Sequence, residues 1–123
     1  MLEFVSLLPE KKNKVGSFSG GMKRRLSLAI AAIGNPKIIL LDEPTTGLDP
    51  KVRQQVWHLI EKLKFGKSII LTTHSMEEAD VLADRICVVV KGRMKCVGTP
   101  FYLKQQYGEG HRLTINLKNR ENW

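Results

Sequence analysis

No apolar run in this sequence approaches the ~18 residues that a bilayer span requires, so it holds no transmembrane helix. The opening Met1-Leu2-Glu3 lacks the basic residues of a secretory leader. Only two cysteines occur, Cys87 and Cys96, and their spacing is that of no metal site; they suit a reducing compartment. Gly-x-x-x-x-Gly-Lys-Ser/Thr occurs nowhere, so the loop that cradles phosphates with its lysine is missing. Internal repeats and low-complexity segments are also missing. Acidic residues are scarce beside basic ones, 12 against 20, which leaves a net charge of +8. That balance favours an anionic partner: a nucleotide, a nucleic acid or an acidic lipid surface. The excess is concentrated early, with seven basic and two acidic side chains in residues 1–40. No aromatic residue interleaves the cluster Lys23-Arg24-Arg25, which makes nucleic acid an unlikely partner there.

What is present reads as at most one soluble globular domain: 123 residues, 42% hydrophobic and 26% charged. The chain is organised around Lys37-Ile38-Ile39-Leu40-Leu41-Asp42-Glu43-Pro44-Thr45-Thr46-Gly47-Leu48-Asp49-Pro50. A short apolar run bounded by turn residues predicts a buried strand, with buried helix as the other reading. As a strand it delivers Asp42 and Glu43 to its C-terminal end, where open α/β sheets hold their ligands. Adjacent strand residues face opposite sides, so the two acids are suited to different tasks, one serving a metal ion and one a base. Standing alone, the same residues would read equally as an acidic turn after a core strand.

In chain order, the apolar residues between Leu2 and Leu8 predict the tail of a helix stopped by Pro9, and Glu10–Ser17 a lysine-rich loop. Ser19 is a good N-cap, and Gly20 and Gly21 would let a ligand approach the backbone. Met22, Leu26, Ala29, Ile30 and Ile33 then recur at helical spacing, to about Gly34. A glycine-rich turn feeding a helix N-terminus can bind an anion; a plain capped helix with a solvated basic face is the alternative. Asp49-Pro50 predicts a cap followed by proline at the first helical position, with Val52, Val56, Leu59, Ile60 and Leu63 along one face. A second buried strand, Ser68–Thr73, leads to His74, and Ser75-Met76-Glu77-Glu78 is a capping box for the next helix. Strand, polar tip and helix, twice over, predict a parallel α/β sheet. A hairpin turning at Lys91-Gly92 would set Cys87 opposite Cys96, with no disulfide expected. A short helix after Gly98-Thr99-Pro100 and a strand over Arg112–Leu117 complete the reading.

Phe18-Ser19-Gly20-Gly21-Met22-Lys23-Arg24-Arg25, Leu40–Pro50 and Thr72-Thr73-His74, in that order and separation, resemble the C-terminal half of an ABC-transporter nucleotide-binding domain. The wording around Ser19 is most similar to the A subfamily of lipid exporters. The resemblance implies a partial P-loop NTPase fold of the α/β class: parallel strands with flanking helices and a C-terminal β-hairpin. It divides the chain into the end of a helical subdomain (1–36), a catalytic core with hairpin (37–107) and a following strand and tail (108–123).

The same resemblance assigns roles. Ser19, Gly20 and Gly21 match the signature motif, which contacts the γ-phosphate of ATP held mainly by the opposite domain of a head-to-tail dimer. Asp42 matches the Walker B aspartate, which holds Mg²⁺, typically through water. Glu43 matches the general base, Asp49 the aspartate that communicates across the dimer, and His74 the switch histidine that reaches the γ-phosphate. All would face the terminal phosphate from the ends of one parallel sheet. Partners would be a second nucleotide-binding domain and transmembrane domains, at the cytoplasmic face of a membrane. Phe18 and Met22 depart from the Leu and Gln usual in the signature.

Without the phosphate loop, the chain is expected to bind ATP poorly and hydrolyse it negligibly alone. It is expected to be a truncated piece, not an independently folding unit. A soluble DNA-repair or chromosome-maintenance ATPase and a non-catalytic piece that docks on an intact domain are the alternatives.

Overall fold

Ile38–Asp42 (β1) and Ser68–Thr72 (β2) lie side by side as parallel strands, in the computed structural model, which describes residues 1–108. Their register runs from Ile38 opposite Ser68 to Asp42 opposite Thr72, so both strands end level. Three helices accompany this pair: Gly20–Ala32 (α1), Pro50–Leu63 (α2) and Met76–Leu82 (α3). Together with the first 19 residues they form one compact unit ending at Ala83; a second begins at Asp84. The strand expected over Arg112–Leu117 falls outside the described residues.

Both strands were expected to be buried, and the structure corrects this. Alternation gives each strand two faces. In β1 only Ile39 and Leu41 enter the core, while Leu40 remains 70% exposed. No residue of β2 is fully buried; Ile69 and Leu71 pack partly against the core and Ile70 stays exposed. The core itself lies on one side of the sheet. Leu28, Ala29 and Ala32 of α1 meet Val56, Trp57, Leu59, Ile60 and Leu63 of α2 and Leu82 of α3.

The face of α1 also differs from expectation. Ile30 and Ile33, expected inward, are exposed, and Leu28 and Ala32 are buried instead. Small alanines let α1 approach its neighbours closely, which branched isoleucines on that face would prevent. The helix ends at Ala32, with Gly34 and Asn35 in the left-handed conformation.

Residues 2–8 are not the tail of an α-helix. They form consecutive turns, with Ser6 at a positive φ, followed by a single 3₁₀ turn at Leu8–Glu10. Val5 and Leu7 are nonetheless fully buried. The Arg25 guanidinium donates to the carbonyls of Val5 (3.1 Å) and Ser6 (3.4 Å), satisfying groups that a helix would have paired internally.

In the second unit, Ile86–Val90 (β3) and Arg93–Gly98 (β4) form an antiparallel hairpin packed with Pro100–Tyr107 (α4). Lys91 and Gly92, both at positive φ, make the two-residue turn. The expected register fails halfway. A bulge follows Val89, so Val88 faces Cys96 and Cys87 faces Val97. Both cysteines are free thiols. Thr99 caps α4 by accepting the Tyr102 N–H at 3.1 Å.

Candidate active site

Because β1 and β2 end level, their last residues and the turns that follow share one edge. Thr72 occupies the register position beside Asp42 and uses its hydroxyl twice. It donates to Asp42 Oδ1 and accepts the Glu43 N–H at 3.2 Å, while the Thr72 carbonyl accepts the same N–H at 3.1 Å. One side chain thus joins both acids to the neighbouring strand.

Glu43 leaves the strand at φ +45°, in the left-handed region. For a residue with a side chain this costs on the order of 1–3 kcal/mol, and such strain clusters at functional sites. The twist swings the Glu43 carboxylate toward His74, whose Nδ1 lies 2.9 Å from Oε1 and 2.8 Å from Oε2. The Thr46 hydroxyl donates to Oε2 from the following turn. Hydrogen bonds from Thr46 and then from His74 hold the Glu43 carboxyl below its ordinary value. In return, the hydrogen bond to Glu43, reinforced by its charge, raises the His74 imidazole above its usual range. The result is an imidazolium–carboxylate pair at the surface.

A divalent cation fits this edge in one manner. Among the described residues no three His, Cys, Asp or Glu side chains cluster as a metal cage. Mg²⁺ commonly binds through one or two carboxylates, several waters and its substrate's phosphates, and Asp42 at the strand end offers one such carboxylate. Its exposure leaves room for an intervening water.

Asp49 is anchored as the sequence suggests. Its Oδ1 accepts the N–H groups of Lys51 and Val52, each at 3.1 Å, and Pro50 has no N–H to satisfy. The structure therefore uses this carboxylate first as the cap of α2.

Ser19 likewise caps α1, accepting the Met22 N–H at 3.2 Å. The two glycines after it differ. Gly20 is open to solvent, and a Cβ there would meet nothing. Gly21 lies against α2, where a Cβ would stand 2.6 Å from Val52 Cγ1, so close helix packing accounts for this glycine and no ligand need be invoked. Gly20 shares a depression of about 330 Å³ with Lys23, Arg24, Thr46 and Gly47. The structure thus gathers Asp42, Glu43 and His74 at one edge, and sets Gly20 beside the turn that leads from Glu43 to Asp49.

Four residues with structural consequences here were given no role by sequence reasoning: Thr46, Thr72, Trp57 and Glu78. The capping-box reading hid the last of these. Ser75 Oγ does accept the Glu78 N–H at 3.3 Å, but the Ser75 N–H goes to Thr73 Oγ1 at 3.0 Å. Glu78 instead turns inward, accepting the Thr45 hydroxyl and the Trp57 indole N–H.

The family model described as "AAA domain, putative AbiEii toxin, Type IV TA system" matches residues 12–80, more than half of the chain. ABC transporter A family member 11 of Arabidopsis thaliana is 52% identical over 122 residues, 99% of this chain and 13% of that protein. The chain belongs to the AAA-domain family, among the ABC-transporter ATPases of the A type. Human ATP-binding cassette sub-family A member 2 is 50% identical over 115 residues, 94% of this chain and 5% of that protein. The human glucosylceramide transporter ABCA12 is 46% identical over 121 residues, 98% of this chain and 5% of its own length. Among solved structures, the ADP conformation of MJ1267, an ATP-binding cassette of an ABC transporter, superposes with a TM-score of 0.76 at 25% identity. That match covers 88% of this ABC ATPase chain and 43% of MJ1267. The chain thus spans between 5% and 14% of the curated relatives cited or compared, and its α/β fold is that of the ABC ATPases.

Proposed function

We propose that this chain supplies the hydrolytic end of an ATP site in an A-type ABC transporter that exports lipid. The observation that carries the reading is the Glu43–His74 pair, set beside Asp42 at the level ends of two parallel strands. Glu43 would polarise the water that attacks the γ-phosphate, and Asp42 would hold Mg²⁺ through water. His74 would release Glu43 and donate to phosphate oxygens as negative charge develops. Ser19, Gly20 and Gly21 would present the N-terminal amides of α1 to ATP gripped by a second nucleotide-binding domain, head to tail. Asp49 would sit near that same boundary. When bound, Mg²⁺ neutralises developing phosphate charge; the chain's own part is to orient water and hold protons at Glu43 and His74.

The reading makes this chain part of a larger machine, with the grip on the nucleotide and the membrane passage carried elsewhere. No helix among the described residues is long and apolar enough to cross a membrane. The transporters cited above favour this reading over a chromosome-maintenance ATPase. The exposed apolar face at Ile38, Leu40 and Ile70 agrees with a chain that packs against further structure.

The test is Glu43→Gln in a complete nucleotide-binding domain containing this segment. ATP binding should persist while turnover falls by about 10²–10⁴-fold, the usual contribution of a positioned base. Unchanged turnover would remove Glu43 from that role. The 123-residue chain alone should show negligible ATPase.

A further inference from the structure

Glu78 is the one acid of the first unit that is fully enclosed, with 1% of its surface accessible. A carboxylate in that position is tolerated when donors surround it. Two donors from different elements meet at a single atom, Oε1: the Thr45 hydroxyl at 2.7 Å and the Trp57 indole N–H at 3.0 Å. Thr45 is itself buried and lies in the turn between Glu43 and Asp49. Trp57 belongs to α2, and its ring carries the Arg53 guanidinium 5.8 Å from its centroid. Arg53 also reaches Glu77 at 3.4 Å, a second tie between α2 and α3. Glu78 stands on α3, which begins two residues after His74.

We propose that Glu78 is a positioning residue for the Glu43–His74 pair, holding the turn that carries Glu43 at a fixed distance from the helix that carries His74. The turn has Glu43 at one end in a strained conformation, and Thr46, which donates to Glu43, immediately follows Thr45. Fixing Thr45 therefore fixes both the backbone and the hydroxyl that orient the Glu43 carboxylate. The charge of Glu78 also favours the protonated form of His74, as a lesser contribution than that of Glu43. The inference rests on the hydrolytic reading above for its consequence in catalysis, though not for its geometry.

Because both donors use Oε1, glutamine can replace glutamate without losing either bond, whereas leucine of similar size leaves the Thr45 hydroxyl and the indole N–H without an acceptor. In a complete nucleotide-binding domain, Glu78→Leu should lower kcat by about 10²-fold, the scale of a misplacement near 1 Å. KM for ATP should change less than about twofold, since nucleotide grip is untouched. Glu78→Gln should restore most of kcat. Hydrogen exchange at the Trp57 indole in the 123-residue chain gives an independent reading: protection should survive in Glu78→Gln and be lost in Glu78→Leu. Equal kcat in the Leu and Gln variants, or equal indole protection in both, or an unprotected indole in the unsubstituted chain, would overturn the inference. Glu43→Gln in the same assay separates the two ideas. If it abolishes turnover while the Leu and Gln variants of Glu78 behave alike, only the role of Glu78 falls.

Discussion

The Cα of Gly21 faces Val52 across the α1–α2 contact so closely that a methyl group on it would come within 2.6 Å of Val52 Cγ1. Two opposing effects decide what Gly21→Ala does. Alanine improves helix propensity by up to about 1 kcal/mol. Overlap with a branched side chain that is stiff about χ1 costs more, about 1–3 kcal/mol, because valine has no free rotamer to retreat into. Gly21→Ala should therefore destabilise, and Gly21→Ala with Val52→Ala should recover most of the loss. Denaturation midpoints of the single and double variants measure this coupling, expected at about 0.5–3 kcal/mol. Strict additivity would show that the glycine is needed for something other than packing.

Asp49 closes the N-terminus of the helix that carries five core residues, Val56, Trp57, Leu59, Ile60 and Leu63. Asp49→Ala should cost about 0.5–2 kcal/mol, the usual value of such a cap. Asp49→Asn keeps an acceptor for the Lys51 and Val52 amides and should lose only the charge–dipole part, about 0.3–1 kcal/mol. Urea denaturation monitored by far-UV circular dichroism distinguishes the two. Equal losses would mean that charge, and not the capping bond, is what α2 requires.

These two sites show where local sequence suffices. Caps at Ser19, Asp49, Ser75 and Thr99 depend only on residues two or three positions ahead, so their spacing announces them. The parallel pair was legible for the same reason: two apolar runs, each closed by polar residues, with a helix between. What stayed hidden depends on partners distant in sequence. Residues 2–8 are apolar enough for a helix, but Arg25 receives their carbonyls and lets them stay irregular. Ile30 and Ile33 fit helical spacing as well as Ala29 and Ala32 do, and only the closeness of the neighbouring elements selects the smaller pair. Glu78 satisfies a capping pattern, yet Thr45 and Trp57, 33 and 21 residues away, capture its carboxylate. The hairpin turn was readable from Lys91-Gly92, whereas the bulge that moves Cys87 opposite Val97 has no signature in composition.

The Glu43–His74 pair carries a pH dependence whose sign follows from both shifts. His74 is raised in the folded chain, so its share of stability is complete below the ordinary imidazole value of 6.5 and is lost as pH rises through the raised one. Glu43 is lowered, so its share is complete above the ordinary carboxyl value of 4.5 and is lost as pH falls through the lowered one. The pair is therefore whole between these two ordinary values. Titration of the His74 ring by NMR should give a midpoint above 6.5 in the unsubstituted chain and a lower one in Glu43→Gln, which removes the largest contributor. A weaker fall is expected in Thr46→Val, since Thr46 orients the Glu43 carboxylate without touching the imidazole. If both variants titrate like the unsubstituted chain, the imidazole and the carboxylate do not meet in solution.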